Sequence, residues 1–226
     1  MGPQRMVDQP LFRELALYLA QRTRRRRSRR YLVGIAGIPG SGKSIFAGLL
    51  IDQLSAAAPG LAVLVPMDGF HLPNRRLEEL GLRTRKGAPE TFDAEGFIRL
   101  LSRARDASQE PLFPIYDRSL HEPVLQANDD QRISLGTRLV LTEGNYLLLT
   151  LEPWARLARI LDECWFLDTP LDVAKRWIID RFCRHGLDPE AAQSHYNEVD
   201  LPNAQLVLAN MREPQRRIPW PAGGTM

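Results

Sequence analysis

The sequence predicts an α/β fold in which a parallel β-sheet is covered by helices on both faces and by a small helical lid. Four short apolar runs alternate with longer stretches of helical periodicity. Each run is apolar almost throughout, which is typical of strands buried on both faces of a parallel sheet. The segments that could carry chemistry, residues 37–44, Asp68 and Glu143, each follow one of these runs. They therefore lie at the sheet edge where such folds bind ligands.

Residues 1–30 are predicted to form an N-terminal helix and an arginine-rich connection. A helix over residues 8–21 is favoured by Asp8 as its cap and by Pro10 in its first turn. Four of its apolar side chains share one face: Leu11, Leu15, Tyr18 and Leu19. Residues 21–30 contain seven arginines and no acid, and we expect a solvated connection there. Residues 10–20 also offer a surface for a homodimer.

Strands and helices alternate through the main domain, which is expected to span residues 31–226. Helices are predicted over residues 43–54, 92–104 and 171–184, and from Pro189. Pro66 is expected at the end of the second strand because proline cannot donate a hydrogen bond within a sheet. The predicted strands are residues 31–36, 61–67, 138–142 and 164–167.

Composition excludes several classes of protein. The net charge of +3 comes from the arginine run, because the other residues contain 23 basic against 27 acidic side chains. We therefore expect no nucleic-acid partner. Two cysteines, Cys164 and Cys183, fit a reducing compartment rather than a disulfide framework. No apolar run approaches the about 20 residues of a membrane span, and no secretory signal is visible, so a cytoplasmic protein is expected.

Residues 37–44 fit the pattern G-x-x-x-x-G-K-[ST] of a phosphate-binding loop, which makes the predicted fold one of the P-loop NTPase type. Its glycines let backbone N–H groups turn toward phosphates, and the following helix presents its positive end to the same anion. The lysine supplies a mobile cation and the serine a ligand for Mg²⁺. The flanking strand and helix disfavour a chance glycine-rich turn. The predicted nucleotide-binding residues are Gly37, Ile38, Pro39, Gly40, Ser41, Gly42, Lys43, Ser44 and Ile45.

Two carboxylates stand at predicted strand ends. Asp68 ends the second strand, and Gly69 lets the backbone turn away so that the carboxylate faces the crevice. Such a carboxylate could accept the hydroxyl proton of an alcohol in phosphoryl transfer, although aspartate before glycine is also common in turns. Glu143 could hold Mg²⁺ together with Ser44, or it could be a solvated strand end.

Six segments together resemble the group of pantothenate kinases, uridine kinases and phosphoribulokinases. The similarity runs from about residue 31 to residue 210, and it is greatest to the branch provisionally assigned to fructose transport systems. The phosphate loop alone indicates only a nucleotide, whereas the second and third segments are far more specific. The segments are residues 37–44 (GIPGSGKS), 67–74 (MDGFHLPN), 81–93 (GLRTRKGAPETFD), 116–124 (YDRSLHEPV), 143–148 (EGNYLL) and 200–207 (DLPNAQLV).

The resemblance implies how several residues meet the acceptor, the molecule that receives the phosphoryl group. Asp68 would be the base for the acceptor hydroxyl. Lys86 would approach the acceptor or the phosphates, and Tyr116 would line the acceptor pocket. His71 and Asn74 are expected in the pocket wall.

The resemblance also implies a lid over about residues 177–200, in which Arg181 matches the lid arginine of pantothenate kinases. Two departures argue against pantothenate as the acceptor. Arg118 stands where pantothenate kinases carry a pocket histidine, and Ile178 replaces a pocket tyrosine. Arg184 shares a helix face with Arg181, where cations would meet the charge of the moving phosphoryl group. A solvated basic helix end is the alternative.

These residues predict an ATP-dependent kinase that uses Mg²⁺ and phosphorylates a hydroxyl of a small metabolite. Asp68, Lys43 and Arg181 are the predicted catalytic residues, Arg184 a nucleotide contact, and Arg118 an acceptor contact. A sugar-like acceptor is favoured, with a nucleoside (as in uridine kinases) or pantothenate as alternatives. A further alternative is a non-kinase NTPase or regulatory nucleotide-binding protein, whose arginine run engages RNA or an anionic membrane surface.

Overall fold

The computed structural model of the chain describes residues 10–24, 28–126 and 128–221. Two predictions fall outside these residues: the cap at Asp8 and the part of the arginine run at positions 25–27. Within the described ranges, no helix combines the length and the apolar character that a membrane crossing requires.

A five-stranded parallel sheet forms the centre of the fold, as the sequence predicts. β1 lies in the middle, where Ile35 is in register with Glu143 on one side and with Trp165 on the other. All six β1 residues are buried, which explains why that run is apolar on both faces. The strands are β1 (Tyr31–Ala36), β2 (Ala62–Pro66), β5 (Leu139–Gly144), β6 (Glu163–Asp168) and β7 (Arg216–Pro219), in the order β2-β5-β1-β6-β7.

Helices cover both faces of this sheet and enclose two clusters of buried side chains. The helices are α1 (Pro10–Thr23), α2 (Lys43–Ala57), α3 (Asn74–Glu79), α4 (Ala94–Ala104), α5 (Leu171–Arg184), α6 (Pro189–His195) and α7 (Leu201–Asn210). One cluster holds side chains of α4 and α7, and the other holds side chains of α1 and α2. Successive β1 residues such as Leu32 and Val33 point into opposite clusters, because strand side chains alternate between faces.

The predicted strands and helices are present, with ends that differ from the predicted ends by at most three residues. Helices α3 and α7 and the edge strand β7 were not predicted. A short antiparallel hairpin of β3 (Ile115–Asp117) and β4 (Glu122–Val124) was not predicted either. The hairpin matters for function because it carries Tyr116.

Helix α1 is part of the core. Phe12 and Leu19 have no exposed surface, and the ring centroid of Phe12 lies 5.1 Å from that of Phe46 and 6.0 Å from that of Trp220. The predicted face through Leu15 and Leu19 is buried, and Phe12 belongs to it as well. Because this face packs within the chain, it is not free for a second copy, and the homodimer stays a prediction.

Arg30 corrects the expectation that the whole arginine run is solvated. Its side chain has no exposed surface. The guanidinium group donates hydrogen bonds to backbone carbonyls in the segment after α4 and in the segment before β5. The acceptors are the carbonyl oxygens of Ala104, Asp106, Ala107, Gln109, Ser134 and Thr137, at 2.6–3.5 Å. Five fixed N–H donors match this set of acceptors, which explains why arginine stands here.

Replacing Arg30 with methionine should therefore lower the free energy of unfolding by about 3–5 kcal/mol, because buried carbonyls would lose their donors. Urea denaturation followed by circular dichroism measures this change. Arg29→Met is the matched control, since Arg29 is exposed and surface substitutions change stability by only about 0.5 kcal/mol. Equal stability of the two variants would contradict a structural role for Arg30.

Candidate active site

A cleft of about 980 Å³ opens at the carboxyl ends of β1, β2 and β5. Most of the residues predicted from the sequence line it together: Pro39, Gly40, Gly42, Lys43, Ser44, Ile45, Asp68, His71, Lys86, Tyr116, Arg118, Glu143, Arg181 and Arg184. Three members of the predicted loop, Gly37, Ile38 and Ser41, are buried behind the cleft surface instead. The roles of all these residues remain predictions.

The phosphate loop joins β1 to α2 and depends on two glycines. Gly40 and Gly42 have φ values of +73° and +82°, which side chains with a Cβ atom rarely adopt. A Cβ atom on Gly40 would also stand 2.5 Å from Ile178 of α5. α2 begins at Lys43, directly after Gly42. The free N–H groups of its first turn therefore border the cleft, where an anion can accept hydrogen bonds from them.

Lys43 is held inside the loop. Its Nζ atom donates hydrogen bonds to the carbonyl oxygen of Ile38 at 2.8 Å and to Ser41 Oγ at 3.3 Å. Burial lowers the pKa of Lys43 to about 8, and the negative charges of Glu143 and Asp68 act in the opposite direction. The amine is thus a desolvated cation, and such a cation interacts strongly with phosphate charge.

Glu143 and Ser44 form a pair next to this lysine. Ser44 Oγ donates a hydrogen bond to Glu143 Oε1 at 3.0 Å. Glu143 belongs to β5 and is only 5% exposed, so a solvated strand end does not describe it. Burial and the nearby Asp68 raise the pKa of Glu143 to about 7, whereas Lys43 lowers it. The pair places two oxygen donors on the cleft surface.

Asp68 lies in a single 3₁₀ turn, Met67–Phe70, directly after β2. The turn passes very close to the segment that leads into β3, since a Cβ atom on Gly69 would lie 2.0 Å from the carbonyl oxygen of Pro114. Glycine is thus required for close approach of two backbones. The half-buried Asp68 carboxylate lines the cleft, and its charge acts on Lys43 and Glu143.

Three side chains form a polar wall beside Asp68. The His71 ring lies between Phe92 and Tyr116, at centroid distances of 4.0 and 4.9 Å. His71 Nδ1 lies 2.8 Å from the backbone carbonyl oxygen of Asp68, so this nitrogen is the donor and Nε2 is left as an acceptor. Burial lowers the pKa of His71, and the negative charge of Asp68 acts in the opposite direction. Lys86 Nζ stands 5.1 Å from the centroid of the Tyr116 ring.

The opposite wall is formed by residues of α5 and of the segment after α6, where the lid was predicted. Arg181 and Arg184 are exposed in the last turn of α5 and face the cleft. Asp200 also lines the cleft, although it was predicted only as part of a family segment. It ends a π-helical turn, Tyr196–Asp200, and its buried Oδ2 atom has no hydrogen-bond partner among the described residues. Burial raises the pKa of Asp200, while Arg181 lowers it. π-Helical turns occur frequently at functional sites.

The fold and the cleft together define a nucleotide-dependent phosphotransferase of the P-loop class, and three relatives are similar over most of their length. The uncharacterised protein YggC of Escherichia coli strain K12 is 35% identical over 187 residues, which cover 82% of this chain and 76% of that protein. The ATP-dependent kinase-like protein notR' of Aspergillus versicolor is 34% identical over 163 residues, which cover 68% of this chain and 93% of that protein. A protein of Schizosaccharomyces pombe, provisionally named uridine kinase C227.14, is 31% identical over 193 residues, which cover 82% of this chain and 81% of that protein.

A solved structure shares both fold and sequence with this chain. The crystal structure of a protein from Silicibacter sp. TM1040, provisionally named a fructose transport system kinase, is 37% identical, with a TM-score of 0.83. The match covers 92% of this chain and 98% of that one. No protein-family profile matches the chain. The chain belongs to the group of P-loop kinases that contains these relatives, and the predicted class, an ATP-dependent kinase of small metabolites, is confirmed.

Proposed function

We propose that this kinase transfers the γ-phosphoryl group of ATP to a hydroxyl of a sugar-like metabolite, with Asp68 as the group that receives the hydroxyl proton. One observation carries the proposal: Asp68, Lys43 and the Ser44–Glu143 pair face a single cleft beside a wall of polar and aromatic side chains. The acceptor oxygen bonds to the γ-phosphorus, the bond from phosphorus to the ADP oxygen breaks, and the proton passes to the carboxylate.

The phosphate loop and the lid bind the phosphates of the nucleotide. Backbone N–H groups of residues 37–44 hold the phosphates, and Lys43 offsets negative charge on their oxygens. Arg181 and Arg184 add positive charge when the lid, which we place at residues 177–200, closes over the cleft. Closure keeps water away from the γ-phosphorus, so that the acceptor and not water is phosphorylated.

Mg²⁺ fits the Ser44–Glu143 pair because both residues offer oxygen atoms, the ligands that this cation prefers. Mg²⁺ in kinases takes one or two protein oxygens together with substrate phosphates, and the Ser44–Glu143 pair offers oxygens of this kind. The bound ion would neutralise charge on the β- and γ-phosphates.

Different observations bear on each of the alternative acceptors and on the alternative of a non-kinase NTPase. A relative provisionally named uridine kinase keeps a nucleoside open, whereas Arg118 and Ile178 both line the cleft in place of a histidine and a tyrosine and argue against pantothenate. The kinase relatives favour a kinase over a non-kinase NTPase. Both cysteines are free, which supports our placement of the protein in the cytoplasm.

A coupled assay of ADP release over sugars, sugar acids, nucleosides and pantothenate tests the proposal. We expect ADP release to require both Mg²⁺ and an acceptor, because a closed lid excludes water. A sugar-like compound should give the highest kcat/KM. Fastest turnover with uridine would support the nucleoside alternative. ADP release at the same rate with and without every acceptor would contradict small-molecule kinase activity.

A further inference from the structure

Two cations that are predicted to contact the acceptor, Lys86 and Arg118, line the cleft. Neither forms an ion pair within the described ranges of the chain. Two arginines next to Lys86 in the sequence are paired, Arg83 with Glu78 at 3.8 Å and Arg85 with Glu90 at 2.7 Å. Lys86 thus differs from its neighbours in the sequence, because it faces the cleft without an ion pair.

Lys86 is held in place by neutral groups. Its Nζ atom donates hydrogen bonds to Asn74 Oδ1 and to the carbonyl oxygen of His121, each at 2.7 Å. The nearby Glu122 acts on Lys86 electrostatically without forming an ion pair with it, and its carboxylate accepts hydrogen bonds from the backbone N–H of Asn74 at 2.9 and 3.2 Å. A positioned ammonium group with one donor left over is well suited to an incoming oxyanion.

Partial burial of Lys86 favours the binding of an anion to it. Desolvation lowers the pKa of Lys86 and the charge of Arg83 lowers it further, whereas Glu122 acts in the opposite direction. A negative charge within hydrogen-bond distance would reverse both effects. Arg118 adds a planar guanidinium group, which can hold a carboxylate or a phosphate through two parallel hydrogen bonds.

The rest of this wall suits hydroxyl groups. His71 Nε2 is an acceptor, because the Nδ1 atom is hydrogen-bonded to the carbonyl oxygen of Asp68. The Tyr116 hydroxyl can both donate and accept a hydrogen bond. The His71 ring contacts the Tyr116 ring at a centroid distance of 4.9 Å, and Lys86 Nζ lies 5.1 Å from the centroid of the Tyr116 ring. These groups therefore lead from Asp68, which is expected to receive the proton, to Lys86.

We infer that the acceptor is a polyhydroxylated anion, whose carboxylate or phosphate oxygens bind Lys86 and Arg118 while the hydroxyl to be phosphorylated faces Asp68. This inference rests on the proposed function, and it narrows the sugar-like acceptor to a sugar acid or a sugar phosphate. The other destination for the two cations is the γ-phosphate of ATP.

Matched pairs of an anionic and a neutral acceptor test whether the site prefers a negatively charged acceptor. Gluconate is compared with sorbitol, glycerate with glycerol, and fructose 6-phosphate with fructose, in the ADP-release assay with the full chain. We expect the anion of a pair to have a kcat/KM roughly 10–100-fold higher, the range for hydrogen bonds to a charged group. The two kinds of pair separate a carboxylate from a phosphate. Faster phosphorylation of the neutral members would overturn the inference but leave kinase activity intact.

Substitutions of Lys86 and Arg118 test whether these cations bind the acceptor or the nucleotide. Lys86→Gln and Arg118→Gln should each raise KM for the anionic acceptor by roughly 10-fold or more, with KM for ATP and for the neutral acceptor unchanged. Arg85→Gln is the matched control, because Arg85 is already paired with Glu90. An increase of KM for ATP that equals the increase for the acceptor would assign the cations to the nucleotide and overturn the inference.

Calorimetric titration gives a result that does not depend on turnover. The same compounds are titrated into protein saturated with Mg²⁺ and ADP. At least one anion should bind, more weakly to Lys86→Gln, and its neutral counterpart should not bind detectably. Binding of an anion without phosphorylation of any compound would refute the proposed kinase reaction and keep the anion site. Equal binding within the pairs, or no binding of any anion, would refute the anion site.

Discussion

Lys43→Ala is expected to lower ATP turnover by at least about 10²–10³-fold, the cost of removing one positioned donor to transition-state charge. The fold should remain intact, because the ammonium group contributes charge at the cleft and little apolar packing. Burial already disfavours its charged form, so its removal relieves a desolvation cost. The measurements are steady-state ADP release, and thermal unfolding of the same preparation. Turnover near the wild-type rate would refute the phosphate-loop function.

Lys175→Ala is the matched control, since it removes the same side chain from α5 outside the cleft, where Lys175 stacks over the Tyr196 ring at 5.5 Å. Its turnover should stay within a few-fold of wild type. The pH profile adds a second test. Because the pKa of Lys43 in the free protein is lowered to about 8, its positive charge is lost as the pH rises above 8. We therefore expect kcat/KM for ATP to decline there.

The part of the fold that was predicted correctly depends on local sequence. β1, β5 and β6 are buried over almost their whole length, so their runs are mostly apolar and easy to recognise. The phosphate loop was predictable for a similar reason, because Gly40 and Gly42 adopt backbone angles that only glycine tolerates easily. Such constraints are visible in a few consecutive residues.

The strands that were missed leave no clear pattern in the sequence. β7 is an edge strand with two arginines, Arg216 and Arg217, and only Ile218 is buried, so it shows no apolar run. Its position is fixed by pairing with β6, which lies far earlier in the chain. The β3–β4 hairpin is local, with Tyr116 opposite Pro123, but its strands have three residues each and are too short to show a periodicity.

The positions of two single residues, Arg30 and Asp200, were also not visible in the local sequence. Arg30 was predicted to be solvated because it ends a run of arginines, but its partners are carbonyls that lie 74 or more positions away in the chain. Asp200 enters the cleft through the π-helical turn after α6, and no pattern in the sequence specifies that turn. The sequence therefore indicated the loop, the two carboxylates after β2 and in β5, and the two arginines Arg181 and Arg184. The place of Asp200 in the cleft required the structure.

Asp68→Asn is expected to lower acceptor phosphorylation by about 10²–10⁴-fold, the range for the loss of a positioned general base. Asparagine keeps the size of the side chain and one carbonyl oxygen, but it cannot receive the hydroxyl proton. ATP affinity should be nearly unchanged, because Lys43, Ser44 and the loop N–H groups are expected to hold the phosphates. Were Asp68 only a turn residue before Gly69, asparagine would serve almost as well. The two interpretations thus give opposite results.

The dissociation constant for Mg·ATP and the acceptor-dependent rate should be measured on one preparation of Asp68→Asn. Asp52→Asn is the matched control, since Asp52 is exposed on α2 and should leave both quantities unchanged. A rate within threefold of wild type would rule out the catalytic role. An equal loss of rate and of Mg·ATP binding would instead place Asp68 with Glu143 at the metal. Because the two carboxylates already influence each other electrostatically, only the comparison of binding with rate separates proton transfer from metal binding.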